Sequence, residues 1–465
     1  MPEPNDKNSQ TIGQLIRANR SFRIVWYAQI VSFLGDWFHT IALYLLIMTL
    51  TGSGTAIGAV VVARLLPGLL GYPISGVLAD RYSRRTLMIL ADVARSVIVL
   101  GFLAAVHLSS VPLLYVLMVV QFLFTALFDT CSQAVLPQIV RSDQIVKAYT
   151  VISVTWSTLL AVGSALGGIA IAAFGIPTAF VIDSASYVIS AMLLSRLVVP
   201  PPSGAAGPRR TFLGDLREGT AYLRREPFVA GATLCKTGIA FGAGMTVLLP
   251  FFASQFAEAG QVSGKLTLAE PIILGILCGV RGIGTALGPL LAQAVFGEHE
   301  RTLAVLITPA FLVVGAFQFV FASTDQFAIA AAALVLAAMG SSAVWVFSTS
   351  LVQIHTDDRY RGRVTSIEWM TFTFCMACLS FVVGFAKDLF PFLLLNQVAQ
   401  IVALSSLFPA VLWTIFLVLV RRQLRATGCV GSYCPPEFAP TQFQTESVVR
   451  TPADSDDDPS SRAET

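Results

Sequence analysis

Twelve long apolar runs constrain the fold of this chain more than any other feature of its sequence. A helix needs about 20 residues to cross the roughly 30 Å of hydrocarbon in a bilayer, and every run reaches that length. The runs lack the two-residue alternation of membrane barrel strands, so we predict helices, which satisfy their backbone hydrogen bonds internally. The predicted spans are Ile24–Thr49, Thr55–Ala79, Thr86–Val106, Val111–Pro137, Ala148–Phe174, Thr178–Val199, Phe228–Phe256, Leu268–Phe296, Leu303–Ala322, Phe327–Ile354, Val364–Ala386 and Val398–Val420.

The composition agrees with a membrane protein. Only 12% of the residues are charged and 55% are hydrophobic, whereas soluble chains carry about 25% charged residues. Residues Met1–Arg20 are polar and the first apolar run is too long for a signal peptide, so we expect the first span to be retained. The seven cysteines show no spacing typical of a zinc site or a disulfide framework. We expect no metal and no cofactor.

Arginine residues occur in alternate connections between the spans. The links after odd-numbered spans contain no arginine, whereas the links after even-numbered spans are rich in it. Positively charged loops stay on the cytoplasmic side of a membrane. The alternation therefore predicts an even number of spans, both termini in the cytoplasm, and a location in the cytoplasmic membrane. The basic residues that carry the pattern include Arg81, Arg84, Arg85, Arg141, Lys147, Arg196, Arg209, Arg210, Arg301, Arg359, Arg361 and Arg363.

A proline- and glycine-rich connection divides the predicted spans into two groups of six. It covers residues 200–227 and ends in an amphipathic segment, Phe212–Arg225, which we predict to be a surface helix. The sequences around Leu136–Ile139 and Leu351–Ile354 resemble each other, which favours two parallel halves. The predicted organisation is a cytoplasmic segment at 1–21, six-helix bundles at 22–199 and 228–422, and a disordered polar tail at 423–465.

The link between the second and third spans reads G-V-L-A-D-R-Y-S-R-R from Gly76 to Arg85. It resembles the cytoplasmic signature of the major facilitator superfamily, with Ser83 in place of a glycine. Further stretches resemble the drug, macrolide and siderophore exporter branch, and the resemblance runs from about Phe22 to Arg422. It implies an all-α membrane protein with twelve transmembrane helices in two six-helix halves.

The same link is expected to gate the protein on its cytoplasmic side. Asp80 and Arg84 are one helical turn apart and share a face if the helix continues between them. In the transporters that this chain resembles, the loop locks the two halves together, and Asp129 is expected to complete a relay with Arg84. Alternatively, the arginines only set the topology. The predicted gating residues are Gly76, Asp80, Arg81, Arg84, Arg85, Asp129, Arg361 and Arg363.

Asp36 and Arg64 are ionisable residues deep inside adjacent spans. A charge in hydrocarbon costs at least about 2.5 kcal/mol, so such residues are functional candidates. At 1.5 Å per residue they lie about 20 Å and 24 Å from the cytoplasmic ends of their helices, near the midplane. We predict that Asp36 couples transport to protons, with Arg64 as its partner; a static buried ion pair is the alternative. Asp129 and Asp183 are rival carboxylates, and Asp183 is expected to be structural.

Three ionisable residues in the second group of spans are predicted to contact the substrate. Lys236 and Arg281 are deep in their spans, and Glu368 lies nearer the cytoplasmic side. Two cations that face a central cavity would suit an anionic or zwitterionic substrate. Alternatively, these cations pair with Glu368 or Asp183 and have no role in substrate binding.

The sequence contains no zinc-protease, serine-hydrolase or nucleotide-loop signature, so we do not expect an enzyme. The G-S-A-L-G-G stretch from Gly163 to Gly168 resembles the antiporter signature of the superfamily, with Ser164 in place of its proline, and favours export.

We therefore predict a secondary active transporter, a proton-coupled exporter of a small amphipathic molecule such as a drug, macrolide, siderophore or other metabolite. The alternatives are a lysophospholipid or metabolite transporter or importer of the same fold, and a non-transporting membrane scaffold. The expected partners are the small-molecule substrate, protons and the lipid bilayer. We expect no nucleic acid, and we expect the chain to act as a monomer.

Overall fold

The computed structural model describes residues 12–141, 144–199, 212–260, 266–296 and 300–427. Within those residues, twelve helical stretches are long and apolar enough to cross a membrane, and no strand occurs. The predicted all-α membrane fold with twelve spans is confirmed. Parts of the predicted terminal segment (1–11), connection (200–211) and polar tail (from 428) lie outside the described residues.

The helices begin and end close to the predicted spans. The predicted surface helix is present as α8, and a short helix, α1, precedes the first span. The bounds are α1 (Ile12–Ala18), α2 (Arg20–Thr51), α3 (Gly54–Arg81), α4 (Arg84–His107), α5 (Val111–Ile139), α6 (Ile145–Phe174), α7 (Ile176–Leu194), α8 (Phe212–Arg225), α9 (Pro227–Thr237), α10 (Ile239–Ala243), α11 (Met245–Glu258), α12 (Leu266–Phe296), α13 (Glu300–Ser323), α14 (Phe327–His355), α15 (Asp358–Leu389), α16 (Leu395–Ser405) and α17 (Phe408–Thr427).

The first six spans are α2 to α7. The last six are α9–α11 together, α12, α13, α14, α15, and α16 with α17. By its internal contacts the chain divides into a large unit, Met1–Trp413, and a small one, Thr414–Thr465, of which the structure describes the end of α17. We call the ends of the spans at the arginine-containing links the arginine-bearing end, and the opposite ends the arginine-poor end.

Two predicted spans are interrupted in the structure. The span predicted as Phe228–Phe256 forms three helices that meet at Gly238 and Gly244. The N–H of Gly238 donates to the carbonyl of Cys235, three residues back, which is the tighter 3₁₀ pattern. The last predicted span is interrupted just before Pro409, which has no N–H to continue the helical ladder. Apolar periodicity does not show these interruptions, because the flanking residues are equally apolar.

The first six spans contact the last six mainly through two helix pairs: α6 packs along α12, and α3 packs along α15. Glycines permit the close approach, since a Cβ added at Gly168 would collide with the carbonyl oxygen of Pro271. A Cβ added at Gly384 of α15 would likewise collide with the carbonyl oxygen of Gly54 on α3. Gly168 belongs to the stretch that resembles the antiporter signature, and its side-chain-free surface serves packing here.

The two groups of spans share a core toward the arginine-poor end. The largest buried apolar cluster includes Ile47 of α2, Phe252 of α11 and Ile273 of α12. A separate cluster nearer the arginine-bearing end, which includes Ala79 and Leu87, consists of residues of the first six spans alone. Packing between the groups is therefore concentrated at one end.

Candidate functional site

A cavity of about 240 Å³, which we call the first cavity, lies among α2, α3, α4 and α5 and reaches Trp156 of α6. Every helix in its wall is long enough to cross a membrane. The cavity therefore exposes both acidic and basic groups at positions inside membrane-spanning helices. The ionisable side chains that line it are Asp36, His39, Arg64, Arg95 and Asp129.

Asp36 accepts a hydrogen bond from the hydroxyl of Tyr187 on α7, at 2.5 Å. Gln121 on α5 in turn donates to the Tyr187 hydroxyl, at 3.4 Å. Tyr187 is completely buried, whereas Asp36 faces the cavity. A phenolic hydroxyl donates to a carboxylate and accepts from a carboxylic acid. The contact therefore accommodates Asp36 in either protonation state.

The predicted direct ion pair between Asp36 and Arg64 is not formed. Arg64 donates instead to the hydroxyl of Thr40, at 3.0 Å, one helical turn beyond Asp36 on α2. Equal depth on adjacent helices does place both residues in the same cavity, but the Asp36 carboxylate is turned toward Tyr187. The depth of a residue along its helix does not show in which direction its side chain points. The coupling role of Asp36 does not depend on the pair and stays a prediction.

A buried ion pair on α4 was not predicted from the sequence. Arg95 pairs with Asp92, which also accepts a hydrogen bond from Ser190 on α7 at 2.6 Å. The Arg95 guanidinium lies 4.3 Å from the ring centroid of Tyr187, a cation–π contact that helps to position the ring. Two ionisable residues three positions apart in the third predicted span were the available signal.

Asp183 on α7 is completely buried where α7 packs along α2. One of its carboxylate oxygens lies 3.1 Å from Nδ1 of His39. The His39 ring packs edge-on against Phe102 and Phe180, and His39 also lines the first cavity. The pair of Asp183 and His39 thus lies directly behind the cavity wall, in an enclosed position compatible with the predicted structural role.

Asp129 does not contact Arg84, contrary to the expected relay. It accepts a hydrogen bond from the hydroxyl of Tyr72, at 3.3 Å, and lines the first cavity. Arg84 donates to the carbonyl of Ala134, at 2.9 Å, further along α5 toward the arginine-bearing end. Five residues of helix separate Asp129 from Ala134, about 7.5 Å along the axis. Asp129 therefore lies at the first cavity, and Arg84 lies at the link between α3 and α4.

The helix does not continue through the link between α3 and α4, because α3 ends at Arg81, Tyr82 is extended and α4 begins at Arg84. Asp80 and Arg84 therefore do not share a face of one continuous helix, although their side chains approach to 3.9 Å. Arg85 donates to the carbonyls of Leu194, at 3.2 Å, and of Ser195. Asp80 is 73% exposed and Arg81 is also exposed. All these contacts lie within the first six spans.

Two glycines at the arginine-bearing end have no neighbouring atoms beside them. A Cβ added at Gly76 of α3, or at Gly362 of α15, would meet no atom within 4 Å. Arg361 donates to the carbonyl of Gln353 at 3.2 Å. Arg363 forms ion pairs with two carboxylates on α8, so it attaches α8 to α15. The Arg363 guanidinium lies 3.0 Å from the carboxylate of Asp215 and 2.8 Å from that of Glu218.

Lys236 and Glu368 form a closed ion pair in the last six spans. Their side chains approach to 2.7 Å and both are only 2% exposed. The Lys236 ammonium also lies 4.2 Å from the ring centroid of Trp345. The structure thus shows the pairing that was the alternative to a substrate role for these two residues.

Arg281 lines a second cavity of about 150 Å³, walled by α6 and by five of the last six spans. Among the described residues that line this cavity, none is acidic. Arg281 has neither a hydrogen-bond nor an ion-pair partner within the described parts of the chain. Trp156 lines both cavities and packs edge-on against Trp37 of the first. The two cavities therefore adjoin at Trp156.

At the arginine-poor end, a carboxylate from one group of spans caps a helix of the other. Asp388 of α15 accepts hydrogen bonds from the first residues of α3. These come from the Ser53 hydroxyl at 2.5 Å and from the N–H groups of Gly54 at 2.9 Å and Thr55 at 2.8 Å. The contact spans the junction between the two groups and closes it at this end.

In the described part of the chain, twelve spans form two groups that meet closely at one end, and two adjoining cavities among them contain charged side chains. These features define a polytopic membrane protein of the transporter class. The family model of the Major Facilitator Superfamily matches residues 25–372. The chain belongs to this superfamily, as its Gly76–Arg85 link indicated. Members carry small molecules across membranes, and the similar proteins are transporters, not enzymes.

Similar proteins include an uncharacterized MFS-type transporter, YfiS, of Bacillus subtilis (strain 168). It is 28% identical over 298 residues, which cover 63% of this chain and 67% of the relative. The enterobactin exporter EntS of Escherichia coli is 24% identical over 361 residues, which cover 76% of this chain and 82% of the relative.

Solved structures share the fold. The nucleoside transporter NupG superposes with a TM-score of 0.66 at 15% identity, covering 85% of this chain and 98% of that one. A bacterial homolog of the human lysosomal transporter Spinster, in an inward-facing and unoccupied conformation, gives a TM-score of 0.66 at 16% identity, covering 87% and 97%.

Proposed function

We propose that this protein is a proton-coupled exporter of a small amphipathic molecule. The observation that carries the proposal is the carboxylate of Asp36, which faces a cavity inside the spans and is held by the Tyr187 hydroxyl. Proton coupling needs a group that is alternately charged and neutral within the membrane, and a carboxylate in such a cavity meets that need. The similarity to an enterobactin exporter supports the outward direction.

The arrangement of the two ends supports alternating access. Asp388 and α3 close the arginine-poor end, whereas Gly76 and Gly362 face open space at the arginine-bearing end. Under the positive-inside rule the arginine-bearing end is cytoplasmic, so this conformation opens inward. Substrate would enter from the cytoplasm. A proton would bind in the outward-open state and accompany the return of the protein to the inward-open state.

Asp36 would exchange its proton in the first cavity while Tyr187 adjusts its hydrogen bond. When Asp36 is ionised, Tyr187 donates to it; when Asp36 is protonated, the carboxyl proton can be donated back to the phenolic oxygen. Arg64 and Arg95 line the same cavity as Asp36. Asp80 and Arg84 would act in gating and would not touch the substrate.

The proposed arrangement in the cell is a monomer in the cytoplasmic membrane. Its bundles would be 22–199 and 228–422, with both termini in the cytoplasm. Single cysteines at Ser53 and Ser432, in a background without other reactive cysteines, test the orientation. An impermeant maleimide applied to intact cells should label the first and not the second; labelling at position 432 would contradict the topology.

Reconstituted vesicles test the coupling. Accumulation of Hoechst 33342 and of 1-naphthoate, a cationic and an anionic amphipathic probe, is measured with and without a pH gradient. We expect Asp36→Asn to abolish gradient-driven accumulation of the transported probe yet to permit downhill exchange, because only the proton-dependent step is removed. Asp325→Asn, at an exposed carboxylate in a link, is the matched control. Gradient-driven transport that survives in Asp36→Asn would exclude Asp36 as the coupling residue.

A further inference from the structure

The second cavity carries a positive charge that nothing in its described lining neutralises. Arg281 lies twelve residues from one end of its span, Ala269–Val295, and fourteen from the other. At 1.5 Å per residue it is about 18 Å and 21 Å from the two ends. A cation at that depth costs at least about 2.5 kcal/mol. The charge of such a residue is stabilised when a ligand of opposite charge binds beside it.

We infer that Arg281 binds the anionic group of the substrate, and that the substrate is a planar aromatic anion such as a carboxylate. The inference rests on the proposed transport function and names the substrate class of the second cavity. A guanidinium offers several donors in a rigid fork that matches a carboxylate in a bidentate contact. No other cation lines this cavity among the described residues.

Three neighbouring polar side chains in the lining donate hydrogen bonds to the backbone. Thr285 donates to the carbonyl of Gly282 at 2.8 Å, and Ser341 donates to Ala337 at 3.2 Å. The Gln318 amide also donates to a backbone carbonyl, at 3.2 Å. Arg281 is the one charged group in the described lining, and its donors remain for a ligand.

Lys236, the other predicted cation for an anionic substrate, is already neutralised. Its ammonium is bound to Glu368, and both side chains are buried away from solvent. An anion could recruit Lys236 only by displacing a carboxylate at 2.7 Å. A buried pair that loses one partner leaves the other charge uncompensated, which is strongly unfavourable. The anion site therefore centres on Arg281 alone.

Aromatic side chains give the second cavity its preference for a flat ligand. Trp156 and Phe372 are part of its wall. Aromatic faces bury large apolar area and stack with offset geometry against planar rings. Because Trp156 also lines the first cavity, a ring bound beside Arg281 would contact the wall that separates it from Asp36.

Equilibrium binding to the purified full-length protein in detergent tests the inference. Isothermal titration calorimetry compares 1-naphthoate with 1-naphthamide, which has the same ring and no charge. We expect wild type to bind naphthoate at least tenfold more tightly, and Arg281→Gln to lose that preference, because a charge-assisted hydrogen bond disappears. Arg281→Lys should keep part of it. Arg359→Gln removes an exposed cation elsewhere and should bind as wild type does.

Equal binding of the two probes by wild type would overturn the inference, and so would a naphthoate preference that survives in a folded Arg281→Gln protein. If Arg281→Gln does not fold, the comparison of the two probes in wild type and in Arg281→Lys still tests the inference. No gradient is present, so the result is independent of proton coupling. A naphthoate preference together with uncoupled transport would remove the coupling proposal and leave the anion site intact.

Discussion

The two ends of α3 carry similar chemistry but make opposite contacts. At its N-terminus, Asp388 of α15 accepts three hydrogen bonds from Ser53, Gly54 and Thr55 and joins the two groups of spans. Near its C-terminus, Asp80 is 73% exposed and approaches only Arg84 of the same group, at 3.9 Å. One aspartate bridges the groups, and the other does not.

The difference follows from where each carboxylate meets the helix. The N-terminus of a helix presents free N–H groups and a partial positive charge, and a carboxylate placed there is stabilised. Asp388 occupies that position on a helix of the other group. Asp80 lies at the opposite end of α3, where the free groups are carbonyls that do not attract it. A tilt of α3 that opens the arginine-poor end must therefore break the Asp388 cap.

The largest expected effect comes from removing that cap with Asp388→Ala. Hydrogen bonds to a charged group contribute about 1.5–3 kcal/mol each, so the loss of even one shifts the conformational equilibrium roughly tenfold. We expect a larger population that is open at the arginine-poor end. Double electron–electron resonance between labels at His107→Cys and Asp325→Cys measures it. Glu258→Gln, an exposed carboxylate at the same end, should leave the distances unchanged; an unchanged distribution in Asp388→Ala would show that the cap is dispensable.

Asp80→Asn should slow transport by about tenfold while leaving probe affinity within a few-fold. The reason is that Asp80 contacts no cavity residue and contributes only to a local pair with Arg84, so a conformational step rather than binding is affected. Initial rates in vesicles and calorimetric binding on the same preparation separate the two quantities. A large loss of equilibrium binding with the folded fraction intact would argue against gating.

Ser53→Ala should reproduce a fraction of the Asp388→Ala effect. It removes one of the three hydrogen bonds to the carboxylate and leaves both N–H donors. We expect a shift of roughly tenfold toward the open arginine-poor end in the same resonance measurement, as for the loss of one hydrogen bond to a charged group. Because the two residues share one contact, the double variant should add little to Asp388→Ala alone. Full additivity would mean that Ser53 acts through a different partner.

Arg363→Gln should have the smallest effect. Its ion pairs reach carboxylates that are 40% and 54% exposed, and exposed pairs contribute only about 0–1 kcal/mol. We expect thermal unfolding in detergent to shift by a few degrees at most, with the resonance distances at the arginine-poor end unchanged. A change in those distances would connect α8 to the conformational equilibrium and remove the contrast between the two ends.

The depth of residues along the predicted spans located several site residues but not their partners. Asp36 and Arg64 do share a cavity, whereas Glu368, expected nearer the cytoplasmic side than Lys236, is in direct contact with it. The Asp36–Arg64 pair was nevertheless wrong, because depth along a helix says nothing about its rotation. Tyr187 was missed for another reason: a tyrosine in an apolar span does not stand out as ionisable, although its hydroxyl is the partner of Asp36.

The sequence by itself determined the twelve spans, the surface helix α8 and the alternating placement of arginine. Each of these depends on consecutive residues, since hydropathy and length decide whether a helix can cross hydrocarbon. Only the tertiary structure decided which charges meet. Tyr187 is 151 residues from Asp36 and Asp388 is 335 residues from Ser53, and such pairs form only when packed glycines and ring contacts set the rotation of each helix.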